Sequence, residues 1–333
     1  MVTFFGVDEN DLADRLPSRD QLARVEQFES IDGPSRGARR IRVVTGGGLD
    51  LDLHPDRALD IGHVSVHGIP VSWISGSGFA PQGAYEPTGT GWLATFGGGL
   101  LATCGLRSSG APSTDQGEDF GLHGRIGSTP AAVSRVERTA DAILVEGTVL
   151  EGSVFGERLE LCRRLELPLG GTSIRIVDRV RNAGRVPTPL MALYHLNFGW
   201  PLVDDGTEVV VPFAEAEPRD PDSAARMDSF ARLGAPEHGV VERVVRYGFG
   251  GAAPTASIVN ARLGLACDIR ASETLPHLFE WSWSTAGAYA LGVEPATSSA
   301  LGGRADARAT GELAELAPGE ERELVVELDF RRL

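Results

Sequence analysis

Apolar and polar residues alternate with a period of two over much of the chain. Leu49, Leu51 and Leu53 alternate with aspartates, Ile41 and Val43 alternate with arginines, and HVSVHGIPV carries the same period up to a Gly and Pro break. Successive side chains of a strand point to opposite faces, so these runs predict half-buried strands. The pattern continues in AILVEGTVLE, ERLELCRRLEL, TSIRIVDRVRN, EVVVPF, VVERVVRY, TASIVNARLGLACDI, LFEWSW, AYALGV and ELVVELDF, with turn residues between most of them. A long antiparallel meander is expected. Strands at this density, without interleaved amphipathic helices, argue against a parallel α/β fold and for an all-β protein, a large antiparallel β-sandwich. No fixed-period self-similarity points to a propeller or solenoid, and no Ser/Gly-rich linker marks a second domain. Helix is expected only near the start, where Asn10 can cap DLADRL, and Ser18 with Gln21 forms a capping box before LARVEQF. The expected organisation is a partly helical N-terminal extension over 1–30 and a single β-sandwich domain over 31–333.

Composition narrows the function classes. Glycine (42) and proline (20) are scattered among apolar runs, as turn residues and not as a disordered tract. Acidic residues outnumber Lys and Arg by 46 to 31, and a charge of −15 repels a phosphate backbone, so no nucleic-acid partner is expected. Cys104, Cys162 and Cys267 form no CxxC pair, which fits neither a disulfide framework nor a thiolate zinc site. The acidic N-terminus lacks the features of a signal peptide, and no segment approaches membrane-spanning length. The expectation is a soluble cytoplasmic protein, a monomer or homodimer, without membrane contact.

Three segments place ionisable side chains among Gly, aromatic and amide residues: GLHGRIG with His123 and Arg125, LYHLNFGWPL with His195 and Asn197, and LGVEPAT with Glu294. Taken singly, a histidine beside glycines is more often a turn or core residue. Glu294 follows an apolar strand and precedes Pro295, where a buried carboxylate needs a partner, structural or catalytic. His63 and His67 have the four-residue spacing of helical zinc ligands, but the flanking residues read as strand, so no metal is expected. Gly97, Gly98 and Gly99 lack the GK[ST] ending of a phosphate loop and read as sites of close backbone packing. Cys104 reads as a small buried hydrophobe.

Together the three segments resemble the aldose 1-epimerase superfamily, of galactose mutarotase-like fold, in which an HGG-like segment, a histidine before a Tyr/Phe-Asn-Leu segment and a late Glu-Pro build a sugar site. VRNAGRVPTPLMALYHLNFG is similar to that family's strand-turn-strand before its catalytic histidine, and LAPGEERELVVELDF to its closing strand. GWLATFGGGLLATCGL followed by FGLHGRIGSTPA resembles more closely a branch catalogued mainly as a domain of unknown function. The resemblance implies a β-supersandwich and a mutarotase acting on a small-molecule sugar, with His195 as general acid, Glu294 as general base and His123 near the ring oxygen. Ring opening removes the anomeric hydroxyl proton while the ring oxygen is protonated, so an acid and a base suffice and no cofactor is needed. A carboxylate of ordinary pKa, about 4.3, would be ionised at neutral pH and would keep the neighbouring histidine protonated.

Substrate contacts are expected from Arg57, Arg125, Asn197 and Arg304, the forked guanidiniums suiting an anionic substituent. Trp92 and Trp281 are the preferred stacking faces among Trp73, Trp92, Trp200, Trp281 and Trp283. The second Gly of the family's HGG segment is Arg125 here, and its substrate-binding Asp has no match. A sugar-binding protein without turnover, or an isomerase or lyase acting on an acidic or oxidised sugar, are the alternative readings.

Overall fold

A computed structural model describes residues 2–12, 14–79 and 82–333, leaving aside the side chains of Glu9, Asn10 and Gln82, so the cap expected at Asn10 lies outside the described residues. The three main sheets are built from β1 (Arg24–Glu29), β2 (Arg39–Val44), β3 (Leu49–His54), β4 (Asp60–Val66), β5 (Ile69–Pro70) and β6 (Leu101–Cys104). There follow β7 (Ala132–Arg138), β8 (Ala142–Gly152), β9 (Arg158–Pro168), β10 (Ser173–Asn182), β11 (Leu193–Phe198), β12 (Glu208–Val210) and β13 (Glu215–Pro218). The last are β14 (Arg243–Gly248), β15 (Thr255–Asn260), β16 (Leu265–Ala271), β17 (His277–Trp283), β18 (Ala290–Ala296) and β19 (Glu321–Arg332).

The first five strands form a meander, β1-β2-β3-β4-β5. The other two sheets depart from the simple meander that the sequence suggests. An eight-stranded sheet runs β7-β8-β9-β10-β19-β16-β15-β12, and a six-stranded sheet runs β13-β14-β17-β18-β11-β6. The C-terminal strand thus sits inside the large sheet, paired on both sides by β10 and β16. Alternation reads residue by residue, but strand order depends on long-range pairing that no local pattern encodes.

One continuous core joins the inward faces of all three sheets: Leu49, Leu51 and Leu53 of β3, Leu161 and Leu165 of β9, Val326 and Leu328 of β19, and Tyr194, Leu196 and Phe198 of β11 pack in the same cluster. The aspartates between the leucines of β3 face outward, where Asp50 takes a forked pair of bonds from Arg42 on β2. A buried ion network ties the layers together. Arg163 on β9 is fully buried and donates to Asp178 on β10 (2.9 and 2.7 Å), Asp60 on β4 (3.0 Å) and Thr103 on β6 (2.9 Å), while the Tyr194 hydroxyl donates to Asp178 at 2.6 Å.

The N-terminal segment corrects the helical expectation. It holds two 3-10 turns, Glu9–Leu12 and Arg19–Gln21, the second capped by the Ser18 hydroxyl, which accepts from Asp20 N–H. LARVEQF is not helical, because Arg24–Glu29 pairs along its whole length with Arg39–Val44. Leu22, Val25 and Phe28 mimic a helical spacing, but a helix this short is marginal alone, and pairing to a preformed neighbour supplies the backbone bonds instead. Among the described residues no helix is long and apolar enough to cross a membrane.

The glycines before β6 pack as expected. A Cβ at Gly98 (φ +72°) would sit 2.5 Å from the Trp73 carbonyl oxygen and 2.8 Å from its ring, and one at Gly99 (φ +89°) 2.6 Å from the Ile61 carbonyl. Gly98→Ala combines overpacking with a left-handed backbone, and is expected to lose about 1–3 kcal/mol of stability, read as a lowered urea midpoint.

Candidate functional site

The site is built on the face of the six-stranded sheet that points away from the main core. In β11 the even positions, Tyr194, Leu196 and Phe198, enter the main core, so period two sends Leu193, His195 and Asn197 to the other side. In β18 the same alternation divides Leu291 and Val293 from Ala290, Gly292, Glu294 and Ala296. The register Leu193↔Ala296 and Leu196↔Val293 sets His195 opposite Glu294, and His195 Nε2 lies 3.2 Å from Glu294 Oε1. Gly292 pairs with both Asn197 and Trp281, and a Cβ there would fall 2.6 Å from Glu294 Oε1 and 3.2 Å from Trp281, so its bare backbone makes room for the carboxylate.

An aromatic wall surrounds the pair. Trp281 stands edge-on to the His195 ring with centroids 5.5 Å apart, Phe96 lies at 5.2 Å, and Trp92 lies at 6.3 Å while stacking on Phe96 at 4.2 Å. Trp73 packs edge-on against Trp281, and Trp283 also touches Trp281. His123, in a left-handed turn at φ +57°, brings its ring to 4.7 Å from Trp92 and 5.8 Å from His195. The Tyr85 hydroxyl donates to the Gly124 carbonyl and pins that turn.

Burial dominates the electrostatics. It pushes Glu294 up to about 8, with the nearby Glu242 charge adding to the rise and Arg219 opposing it. His195 is driven well below the usual histidine range by burial and by His123, against a hydrogen-bonding contribution from Asn197, and burial lowers His123 to about 4 although Glu242 acts the other way. At neutral pH the free site therefore holds a protonated Glu294 beside a neutral His195, which reverses the charge states expected from reference values. The cause is desolvation: an ion pair here would lose more hydration than the contact returns. Among the described residues, His123 Nδ1 and His195 Nδ1 are buried without a hydrogen-bond partner, and Glu294 Oε1 has none beyond its approach to His195 Nε2. Unpaired polar atoms of this kind are expensive to bury, and three of them in one aromatic enclosure single it out as the candidate site.

The structure thus brings together His123, His195, Glu294, Trp92 and Trp281. Other expected contacts are corrected. Asn197 has no exposed surface, and its amide donates to the Gly99 carbonyl (3.0 Å) and the His195 carbonyl (2.8 Å), so it fixes the strand under His195 and does not face a ligand. Arg304 lies in a separate buried network: it donates to Asp115 at 2.8 Å, to Glu157 at 2.7 and 2.5 Å and to the Arg107 carbonyl, with its guanidinium 4.7 Å above the Phe120 ring. That set of carboxylates offsets its burial and leaves no fork for a substrate. The Arg125 side chain is exposed, outside the His195 enclosure. Arg57 is half-buried and donates to the Thr95 carbonyl at 3.1 Å, beside Trp92 and Phe96. Trp200 is exposed, unlike Trp73, Trp92 and Trp281, which are buried.

Sequence reasoning missed Glu242 and Arg219. Glu242 accepts from Trp281 Nε1 at 2.8 Å and from Arg219 at 2.8 Å, and its charge acts on both Glu294 and His123. It lies in VVERVVRY, which reads as an ordinary strand, and nothing local separates it from a solvated surface glutamate.

Residues 35–330 match the family model described as Domain of unknown function (DUF4432). The chain belongs to this family. No curated protein matches the sequence. Among solved structures, a "putative aldose 1-epimerase" from Klebsiella pneumoniae aligns over 93% of this chain and 85% of its own, at 23% identity and a TM-score of 0.86. A galactose mutarotase-like protein from Clostridium acetobutylicum aligns over 94% and 100%, at 14% identity and 0.69, and galactose 1-epimerase from Lactobacillus acidophilus over 93% and 99%, at 12% identity and 0.64. The DUF4432 chain therefore has the galactose mutarotase-like fold, and these likenesses speak to fold alone.

Proposed function

We propose that this DUF4432 protein is a carbohydrate mutarotase, an aldose 1-epimerase-like isomerase that interconverts the anomers of a free sugar by acid-base ring opening. The observation that carries the reading is the buried His195–Glu294 pair, cross-strand neighbours at 3.2 Å inside an aromatic enclosure. Ring opening needs one proton donor and one acceptor at the hemiacetal, and a pair that shares a single proton supplies both. Glu294 takes the proton of the anomeric hydroxyl and His195 delivers one to the ring oxygen, the pair's own proton passing from Glu294 to His195 when the sugar enters. Trp92 and Trp281 offer the flat faces on which sugar C–H groups pack, and His123 stands beside His195 near the ring oxygen. The chemistry uses side chains alone, and the small-molecule sugar is its only partner. A cytoplasmic setting suits the three free thiols of Cys104, Cys162 and Cys267.

The shared proton gives a pH signature. Glu294 loses its proton as pH rises through about 8, so anomer exchange is expected to hold through neutral pH and then fall by about tenfold per unit on the alkaline side. Exchange rates across pH by NMR check this. A rate that keeps rising with pH beyond the buffer-catalysed background would contradict a one-proton pair. Carbon-bound deuterium appearing in the sugar from heavy water would point instead to isomerisation or elimination, because mutarotation exchanges only oxygen-bound protons.

A further inference from the structure

Arginines do gather in this acidic chain, around Arg57 and away from Arg125 and Arg304. A surface pocket of about 340 Å³ is lined by Arg36, Arg39, Arg40 and Arg57 together with His54, Asp56 and Phe79. Asp56 is committed to Arg39, whose backbone N–H and Nε donate to its two oxygens at 2.8 Å each. Arg40 donates to His54 Nδ1 at 2.5 Å, and His54 Nε2 then donates to Asp52 at 2.9 Å. That relay fixes His54 as the neutral tautomer, consistent with its lowering to about 4 by burial. Four guanidiniums thus face Asp56 in the wall and Asp52 beneath it, while Asp60, whose charge also reaches Arg57, is matched by its own ion pair with Arg163, which leaves the pocket cationic in a protein of charge −15.

The pocket is also built. Arg40 is buried, and its guanidinium lies 5.2 Å over the Phe79 ring, which in turn meets His54 edge-on at 4.2 Å. Burial disfavours the charges of both Arg40 and Arg57, with Asp52 and Asp56 opposing it at Arg40, and at Arg57 Asp60 opposing and Arg40 adding to it; an anion between the two would favour both charges. The pocket shares Arg57, His54 and Phe79 with a narrow cleft that continues to Trp92, Phe96 and Ala102. Ala102 is the cross-strand partner of His195, and Phe96 packs on the His195 ring, so the far wall of the cleft borders the His195 enclosure.

We propose that this arginine pocket anchors an anionic substituent, a carboxylate or phosphate, of the sugar whose anomeric centre is opened at His195 and Glu294. The assignment rests on the mutarotase reading for its second half and on the pocket alone for its first. Forked guanidiniums bind such groups through paired charge-assisted bonds, and the Phe79 ring excludes water from one side.

Two readouts separate the halves. Calorimetry with inorganic phosphate tests the pocket directly, and anomer exchange by NMR compares glucose, glucose 6-phosphate and glucuronate. Phosphate is expected to bind the wild type and to bind about tenfold more weakly to Arg36→Glu and Arg40→Gln, each of which removes a charged donor. Arg36 is exposed, so its variant keeps the test valid even if Arg40→Gln misfolds. At least one anionic sugar is expected to displace phosphate and to exchange with a kcat/KM about tenfold above that of glucose. Phosphate binding that is absent, or unchanged in both variants, overturns the pocket. Phosphate binding that neither anionic sugar displaces makes it a site for a free anion and overturns the anchoring role. Displacement by an anionic sugar without anomer exchange of any sugar upholds the anion site while the mutarotase reading falls, and exchange of glucose without phosphate binding does the reverse.

Discussion

Glu294→Gln is expected to abolish anomer exchange, by at least about 100-fold, and at the same time to stabilise the fold. The carboxyl is raised from an ordinary value of 4.5 to about 8 in the folded state. Below the unfolded pKa both states hold the proton and the group is neutral to stability. As pH rises from there through the folded pKa, the unfolded state releases its proton first, so the folded state progressively loses ground. Glutamine keeps the shape without that linkage, and at pH 7 the gain is expected to be about 3 kcal/mol, measured by urea unfolding at pH 4.5 and pH 7. The gain should vanish at the lower pH. A Glu294 that served structure alone would give the opposite pair of results, with exchange retained and stability reduced. His195→Ala should also lose exchange, without the same pH-dependent gain.

The second large effect concerns the layer beneath the site. Arg163→Met is expected to destabilise the protein by about 3–5 kcal/mol, because it leaves Asp178 and Asp60 buried without their cation. Tyr194→Phe removes one bond to Asp178 and should cost about 1 kcal/mol. Urea unfolding of both single variants and the double variant gives the coupling, and the effects should fall short of additive because both act through Asp178. The consequence reaches the chemistry: Thr103 and Tyr194 are cross-strand partners in β6 and β11, one position away from His195 on the latter. Loosening the network should therefore lower exchange as well as stability.

Much of this was legible in the sequence, and what was not has definite physical reasons. Leu49, Leu51 and Leu53 announce a half-buried strand because their spacing alone sets which face they occupy. His195 and Glu294 stand out because ionisable groups embedded in apolar strands need a partner. That they partner each other across β11 and β18 depends on a register between segments about a hundred residues apart, which periodicity does not encode. Arg163 sits in ERLELCRRLEL in phase with Leu159, Leu161 and Leu165, so alternation sends it inward, but nothing local names Asp178, Asp60 and Thr103 as the partners that make its burial tolerable. Arg304 shows the same gap. It looks available for an anion, yet Asp115 and Glu157, remote in sequence, already occupy its fork. The charge states at the site also escaped reference values, since reference pKa values describe groups in water and this pair is enclosed by tryptophans.

The most direct test of the central claim is anomer exchange by NMR at pH 7, with wild-type protein against buffer alone, over a panel of neutral and acidic sugars. Acceleration for at least one sugar, lost in His195→Ala and Glu294→Gln, is the expected result. A sugar that demonstrably binds at the Trp92–Trp281 enclosure but exchanges no faster than in buffer would contradict the mutarotase reading and leave a sugar-binding protein in its place.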